Sequence, residues 1–501
     1  MLLLGIDLGT SSIKVSVTDS QTQKCLATAQ YPDKESEIIA LQPGWAEQSP
    51  EIWWDHVQQA ILLCNAKKLY NSQDIKAIGI AYQMHGLVLV DKNQNVLRNS
   101  IIWCDSRAVD IGNKAFEAIG SDKCLSEMLN SPGNFTASKL AWVKENEPSI
   151  YQKIDKIMLP GDFIGMKFTG EITTSISALS EGILWNFRED AISQDIMNQF
   201  GFDRGLIPEV RDVFSEHGKL KAELAAKLGL CGGIPVTYKA GDQPNNALSL
   251  NVLKPGEVAA NAGTSGVIYG VSDQLTYDKH SRINTFAHVN YTAQKKHLGV
   301  LLCINGTGIL NRWVKNTFGS GNSYDQMNSD AARVQNGSKG IRIIPFGNGA
   351  ERMLNNKTVG AHFHNLDLNV HQQADIFRAV QEGIAFSFRY GLDIMRENGM
   401  NPTVIRAGKT NMFSSEVFAE AFVNTCGVPV ELYQNDGSVG AAIGAGIGIQ
   451  ELTLENAFSN VKPLKVVEPG KQDEYEIFYH EWKILLDSHI SFGNITTNVS
   501  S

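Results

Sequence analysis

Asp242 is the residue whose type and setting most directly suggest chemistry. It follows the small-residue turn Ala240-Gly241 and precedes a short run compatible with a helix. About twenty residues later, Asn261-Ala262-Gly263-Thr264-Ser265-Gly266 ends an apolar strand in a loop of glycine and hydroxyl side chains. Near the N-terminus, Asp7-Leu8-Gly9-Thr10-Ser11-Ser12 does the same. Loops of this kind offer backbone N–H and hydroxyl donors to phosphate oxygens, and Asp7 beside one of them could hold a divalent cation. A carboxylate base between two such loops would suit phosphoryl transfer from ATP. On the residues alone, two plainer readings stand beside this one: Asp242 as a helix cap or buried ion-pair partner, and Gly9–Ser12 as an ordinary hairpin turn.

The two loops echo one another. Laid on Gly263–Asp273 (GTSGVIYGVSD), Gly9–Asp19 (GTSSIKVSVTD) is identical at five of eleven positions. A repeat half a chain apart points to a duplicated domain, each copy giving one loop to a shared cleft. The copies differ where Asp7 faces Asn261, so one carboxylate is available there for a single magnesium ion.

Two further polar clusters sit at strand ends, where α/β proteins place ligands. Tyr82-Gln83-Met84-His85-Gly86 lies between the apolar runs Ile75–Ile80 and Leu87–Asp91. A lone histidine there is also compatible with a satisfied turn residue. Trp103-Cys104-Asp105-Ser106-Arg107 follows Asn99–Ile102; its aromatic, acid and guanidinium could grip a polyol or form a surface salt bridge worth under about 1 kcal/mol.

These groups need elements to hold them. Leu2–Asp7 and Ile13–Thr18 read as the strands of a hairpin. Ser49-Pro50-Glu51 is a helix start, and the helix runs to about Ala66 with Trp53, Val57 and Ile61 on its buried face. Trp45 and Trp54 read as packing residues. Ile234–Thr237 is a strand that delivers Asp242. Val300–Ile304 runs into Asn305-Gly306-Thr307-Gly308 and then a helix, a geometry that offers N–H groups to an anion. Gln373–Met395 carries Phe377, Val380, Ile384, Phe388, Leu392 and Met395 at helical spacing, a core stripe. Val404–Gly408 leads to Lys409-Thr410-Asn411, and Asp436–Gly448 is a glycine- and alanine-rich helix. The domains are expected at 1–246 (sugar site, first loop, Asp242) and 247–455 (nucleotide site). A tail at 456–501 follows, with an amphipathic helix in Glu474–Ile490 and a polar end.

The 501 residues suffice for roughly two to four domains. A net charge of −9, with 44 basic residues in no long run, speaks against nucleic acid or an anionic membrane as partner. The start MLLLGIDLG lacks a basic region and does not read as a signal peptide, and no stretch approaches the roughly 18 apolar residues of a membrane span. Seven scattered cysteines with no CxxC pair read as free thiols of a reducing cytoplasm.

With GIDLGTSS, QPGWAEQSPEIWW, YQMHG, WCDSRA, AGDQ, NAGTSG and DGSVGAAIGAGIG in view, the chain from Leu3 to about Gln450 resembles the FGGY family of carbohydrate kinases. The resemblance implies an α/β fold of duplicated ribonuclease-H-like domains flanking a deep cleft, as in actin, hexokinase and the heat-shock chaperone ATPases. It implies a cytoplasmic enzyme whose partners are ATP, Mg²⁺ and a small-molecule sugar, with no nucleic acid and no membrane; a homodimer is compatible with it. Met84-His85 is most similar to the branch that phosphorylates D-xylulose, since glycerol kinases carry Arg-Glu there. Gln243 after Asp242 is instead like glycerol kinases, and Arg406–Asn411 lacks the family's longer glycine run. By the resemblance, Asp242 is the base and Asp7, with Asp242, holds the metal. Gly9, Thr10, Ser11, Ser12, Gly263 and Thr264 hold the phosphates, while Gly306, Gly408 and Asn411 line the adenosine pocket. Met84, His85, Trp103, Asp105, Asp242 and Gln243 meet the sugar. The competing readings are a kinase of ribulose, gluconate, glycerol or fuculose, a nucleotide-switched ATPase of the actin or chaperone kind, and a non-catalytic sugar-binding regulator.

Overall fold

The computed structural model describes residues 1–319 and 321–496; the polar end expected beyond them lies outside the described residues. Two mixed sheets organise the chain. The first contains β1 (Leu2–Leu8), β2 (Ile13–Asp19), β3 (Cys25–Tyr31), β4 (Ile75–Tyr82) and β5 (Val236–Gly241), in the order β5-β4-β1-β2-β3. The second contains β6 (Glu257–Ala262), β7 (Gly266–Ser272), β8 (Asn284–Ala287), β9 (Leu298–Ile304), β10 (Val404–Gly408), β11 (Val430–Tyr433) and β12 (Lys465–Val467), in the order β8-β9-β7-β6-β10-β11-β12. In each sheet an antiparallel hairpin, β1-β2 or β6-β7, is extended on the first strand's open side by two parallel strands, β4-β5 or β10-β11. The sequence echo is therefore a repeat of structure. Its two turns differ by one residue: Leu8 pairs with Ile13 in the first hairpin, and Ala262 with Gly266 in the second.

The side-chain period of two decides what β1 shows to each face. Leu2, Leu4, Ile6 and Leu8 pack with Trp53, Val57 and Ile61 of helix α1 (Pro50–Ala66). Leu3 belongs to the core on the other face, and Gly5 and Asp7 share its parity. That other face is covered by a helix from far along the chain. After β5 comes α2 (Asp242–Ser249); α3 (Gly308–Phe318), α4 (Gln373–Glu397) and α5 (Glu416–Cys426) belong to the second half, and after β11 comes α6 (Gly437–Gly448). Helix α6 lies on β1 and β4 of the first sheet, where Ala441, Ala442 and Ala445 pack with Leu3, Ala77, Ala81 and Tyr238. Helix α2 crosses the other way: Ala247 and Leu250 pack with Ala259, Tyr269 and Val271 of the second sheet. Helix α2 spans the expected boundary at residue 246/247, and each sheet packs against the helix that follows the outer parallel strand, β5 or β11, of the other.

The crossing is held by backbone proximity. A Cβ on Gly5 would lie 1.8 Å from the Ser438 carbonyl oxygen, and one on Gly79 would lie 1.9 Å from that of Ala441. Asn245 Nδ2 donates to the Gly437 carbonyl at 2.9 Å, and Asn435 Nδ2 to Asn246 Oδ1 at 2.7 Å, joining the N-terminal turns of α2 and α6. In the second half the expected stripe of α4 is buried throughout. The tail forms α7 (Gln472–Thr496), which buries Tyr475, Tyr479, Trp482 and Leu486 in that same core, with Trp482 Nε1 donating to the Ile343 carbonyl at 2.8 Å.

Gly79→Val, which adds a side chain where a helix backbone already lies, is expected to destabilise the protein by about 1–3 kcal/mol or more. Thermal unfolding reads the loss, and an unchanged Tm would show that α6 does not press on β4.

Candidate active site

Asp242 is the first residue of α2, at the carboxyl end of β5. Burial pushes its pKa up to about 7, and the charge of Asp7 adds to the rise, while hydrogen bonds from Gln243 oppose it. It keeps the backbone hydrogen bonds of a helix-capping carboxylate, but burial and the nearby Asp7 charge set it apart from an ordinary solvent-exposed cap. Asp7, on the α6 side of β1, is raised to about 6 by burial and then by Asp436, with Lys14 pulling the other way. Its approach to α6 is close: a Cβ on Gly437 would lie 2.3 Å from Asp7 Oδ2. Asp436 caps α6, accepting from the Ser438 N–H at 2.9 Å and its hydroxyl at 2.6 Å. It occupies in the second repeat the place of Asp242 in the first. Sequence reasoning passed over it, although an acid before a glycine-rich helix is a capping signal.

All three are hard oxygen donors, and the raised pKa values of Asp7 and Asp242 reflect burial that the surrounding charges do not offset. That suits a divalent cation. Among the described residues no three His, Cys, Asp or Glu side chains are close enough to hold a metal ion by themselves, so its remaining ligands would be phosphate oxygens and water.

The first loop is tied into the neighbouring crevice. The Thr10 hydroxyl donates to Gln83 Oε1 at 3.2 Å and accepts from Trp103 Nε1 at 2.9 Å, and Gln48 Nε2 donates to the Thr10 carbonyl at 2.8 Å. Ser11 is exposed, and Gly9 and Ser12 are partly so. Trp103 leaves 53% of its surface to solvent, ready to wall a ligand. Met84 is buried beside the Asp242 turn, where a Cβ on Gly241 would lie 2.6 Å from its Cγ. His85 has φ +64°, a left-handed conformation uncommon outside glycine. Three contacts stabilise it: its N–H donates to Glu181 Oε2 at 3.0 Å, Lys139 Nζ donates to its carbonyl at 2.9 Å, and its ring meets Phe135 edge-on at 4.8 Å. Burial, and then the charge of Lys139, press its pKa down to about 3, so the imidazole is neutral. Glu181, which also accepts from the Tyr82 hydroxyl at 2.8 Å, had no motif to mark it.

Asp105 is not brought into the crevice. It is fully buried; its carboxylate accepts from the Arg107 guanidinium at 2.7 Å and from the Ala46 N–H at 2.6 Å. Arg107 is itself stacked 3.8 Å from the Trp45 ring. The alternative of a salt bridge is the one the structure contains, but in the interior rather than at the surface.

The second loop opens on a cavity of about 400 Å³ lined by Gly263, Thr264, Gly308, Arg312, Tyr324 and Asn411, among others. Asn411 is one of these lining residues, with φ +52°. Gly306 and Gly408 are not among its lining residues. Gly306 instead packs against the backbone, where a Cβ would lie 2.2 Å from the Pro345 carbonyl oxygen. Gly308 is the glycine that serves this cavity: its N–H donates to the Gly263 carbonyl at 3.0 Å, and a Cβ there would lie 2.3 Å from that oxygen. Arg312 and Tyr324 carried no motif and are assembled only by the helices.

Duplicated sheets, crossed helices and acids facing two glycine-hydroxyl loops define a two-domain ATPase-type α/β fold. The profile of the FGGY family of carbohydrate kinases, N-terminal domain, matches residues 2–249 and that of its C-terminal domain matches 258–449; the chain belongs to this family. It is 30% identical over 455 residues to a xylulose kinase from Bacillus subtilis strain 168, covering 89% of this chain and 88% of that one. It is 29% identical over 448 residues to a xylulose kinase from Escherichia coli K12, again covering 89% and 88%. The crystal structure of xylulose kinase from Rhodospirillum rubrum superposes with TM-score 0.89 at 23% identity, covering 99% of this chain and 100% of that one.

The raised acids carry a signature in stability. A carboxyl group with a raised folded-state pKa contributes stability that is complete below its unfolded value and is lost as pH rises through the folded value. For Asp242 that window runs from near 4 to about 7. Metal-free Asp242→Asn is expected to unfold at the same temperature as the wild type below pH 4. It should gain on the wild type up to pH 7 and stay about 1–3 kcal/mol more stable above it. A constant gap across pH 4–8 would remove Asp242 as the titrating group.

Proposed function

We propose that this chain transfers the γ-phosphoryl group of ATP to D-xylulose, giving D-xylulose 5-phosphate and ADP. The observation that carries the reading is Asp242, a buried carboxyl group raised to about 7 that feels the charge of Asp7 and follows Gly241, against which Met84 packs. In the reaction its carboxylate accepts the proton of the sugar's terminal hydroxyl. The freed oxygen forms a bond to the γ-phosphorus as the bond to the ADP oxygen breaks in line. A positioned base contributes about 10²–10⁴-fold. Mg²⁺, when bound, supplies neutralising charge to the phosphates, and Asp7 with Asp242 would hold it. Gly9–Ser12 and Gly263–Thr264 present donors to those phosphates, and the cavity beside Asn411 and Tyr324 receives the nucleoside.

Neutral His85, with Met84 and Trp103, gives the sugar a wall that is partly apolar and partly hydrogen-bonding. Approach of the two halves would exclude water, which otherwise competes as phosphoryl acceptor. Seven free thiols support a reducing cytoplasm as the compartment. Gln243 at the first turn of α2 is the feature that favours a different polyol, and a coupled ADP-release assay across ketoses and polyols separates the two.

Asp242→Asn is expected to lower kcat with D-xylulose by at least about 100-fold while ATP affinity stays within a few-fold. A kcat near that of the wild type would refute the base assignment. In the wild type, kcat/KM for the sugar should fall as pH drops below about 7, as the base gains its proton. Replacing Met84-His85 with Arg-Glu is expected to remove most D-xylulose turnover and leave nucleotide binding intact; equal loss of both would indicate unfolding.

A further inference from the structure

The sugar crevice described so far is built from the first half of the chain, yet one cation from the second half enters it. Arg352 opens a short turn, Arg352–Leu354, after the buried Glu351. Glu351 fixes that turn by accepting from the N–H groups of Asn305 at 3.0 Å and Gly306 at 2.9 Å, at the end of β9. From there the Arg352 guanidinium reaches within 6.0 Å of the Phe135 ring centre, and Phe135 is the ring that His85 meets edge-on. Phe286, from β8, closes the same wall 5.4 Å from the His85 ring. One terminal N–H of Arg352 donates to Asn284 Oδ1 at 2.7 Å, and Asn284 Nδ2 in turn donates to Asn130 Oδ1 at 2.9 Å, across the two halves.

That is the one hydrogen bond the Arg352 side chain makes among the described residues, out of five donors. Among the same residues it forms no ion pair. Burial presses its pKa down, so the fold meets a desolvation cost for a charge that it does not neutralise. A planar fork with free donors in a crevice suits adjacent oxygens such as those of a polyol. The phosphoryl side is the less favoured target. The Arg352 guanidinium faces Phe135 in the His85 wall and its charge bears on His85, whereas Cys303, which feels both Arg352 and Asp242, does not decide between the two sides.

We propose that Arg352 is a sugar-binding residue, its free N–H groups hydrogen-bonding the sugar oxygens remote from the hydroxyl that is phosphorylated. The sugar site is then complete only when the second half supplies this side chain, which links sugar binding to the approach of the two halves. The proposal rests on the sugar-kinase reading above.

The test uses the full chain carrying Arg352→Gln or Arg352→Lys, with steady-state kinetics on D-xylulose and ATP and calorimetric binding of D-xylulose without nucleotide. Loss of hydrogen bonds from a charged donor is expected to raise the sugar KM and Kd of the Gln variant by about 10–100-fold. The KM for ATP should stay within about 2-fold and kcat within about 3-fold, and Lys should recover part of the loss because it keeps the charge without the fork. An unchanged sugar KM, or a loss of kcat alone, overturns the proposal, the latter placing Arg352 on the phosphoryl group. If Gln lowers Tm, the Lys variant decides by the same split. A wild type that phosphorylates no sugar in the panel defeats the sugar-kinase reading itself. Wild-type turnover with unaltered sugar constants in both variants defeats this proposal alone.

Discussion

Helix α6 can rest on the first sheet because Gly5 and Gly79 leave its backbone room to approach β1 and β4. Close-packed interiors tolerate no such intrusion elsewhere, so this contact fixes where the second half of the chain stands relative to the first. It also fixes the cleft. With α6 seated, Asp436 at its cap lies beside Asp7, and the reciprocal helix α2 puts Asp242 at the same mouth. The glycines and alanines of α6 bring its backbone close to α2, and Asn245 and Asn435 tie the two helix starts together.

Electrostatics follow from that packing. Three acids at one cleft mouth, two of them raised to about 6 and 7, are costly to a folded chain in which Lys14 only partly offsets the burial of Asp7. Strongly shifted carboxyl groups of this kind cluster at functional sites, and these two fit the base and the metal-side donor of the proposed reaction. On the sugar side the opposite was arranged: His85 is held neutral by burial and by Lys139, and its left-handed backbone is secured by Glu181. The two sides meet through Thr10, whose hydroxyl links Gln83 to Trp103. A change at the phosphate loop is therefore felt in the crevice through two hydrogen bonds.

Much of this was legible in the residues. The apolar run Leu2–Asp7, the proline start of α1, the buried stripe of α4 and the repeat of Gly9–Asp19 in Gly263–Asp273 are local patterns, and each corresponds to an element of the fold. Asp242 and the two loops were marked by type and neighbourhood. Asp105 was misassigned because its partner Ala46 is distant in the chain, and the N–H of that residue closes the carboxylate away from the cleft. Gly306 was chosen over Gly308 because spacing shows that glycine is present, not which backbone it must pass.

By itself the sequence determined the strands and the hairpin loops and singled out Asp242, since apolar runs and turn chemistry act between near neighbours. Tertiary structure alone decided that α2 and α6 exchange sheets, that Asp436 joins Asp7, that Gly308 lines the cavity beside the second loop, that Glu181 reaches His85 and that Arg352 reaches the Phe135 ring beside it. Those pairings join residues far apart in the chain. They depend on which surfaces can approach without a Cβ between them, a condition set by the assembled backbone and not by any local pattern of residues.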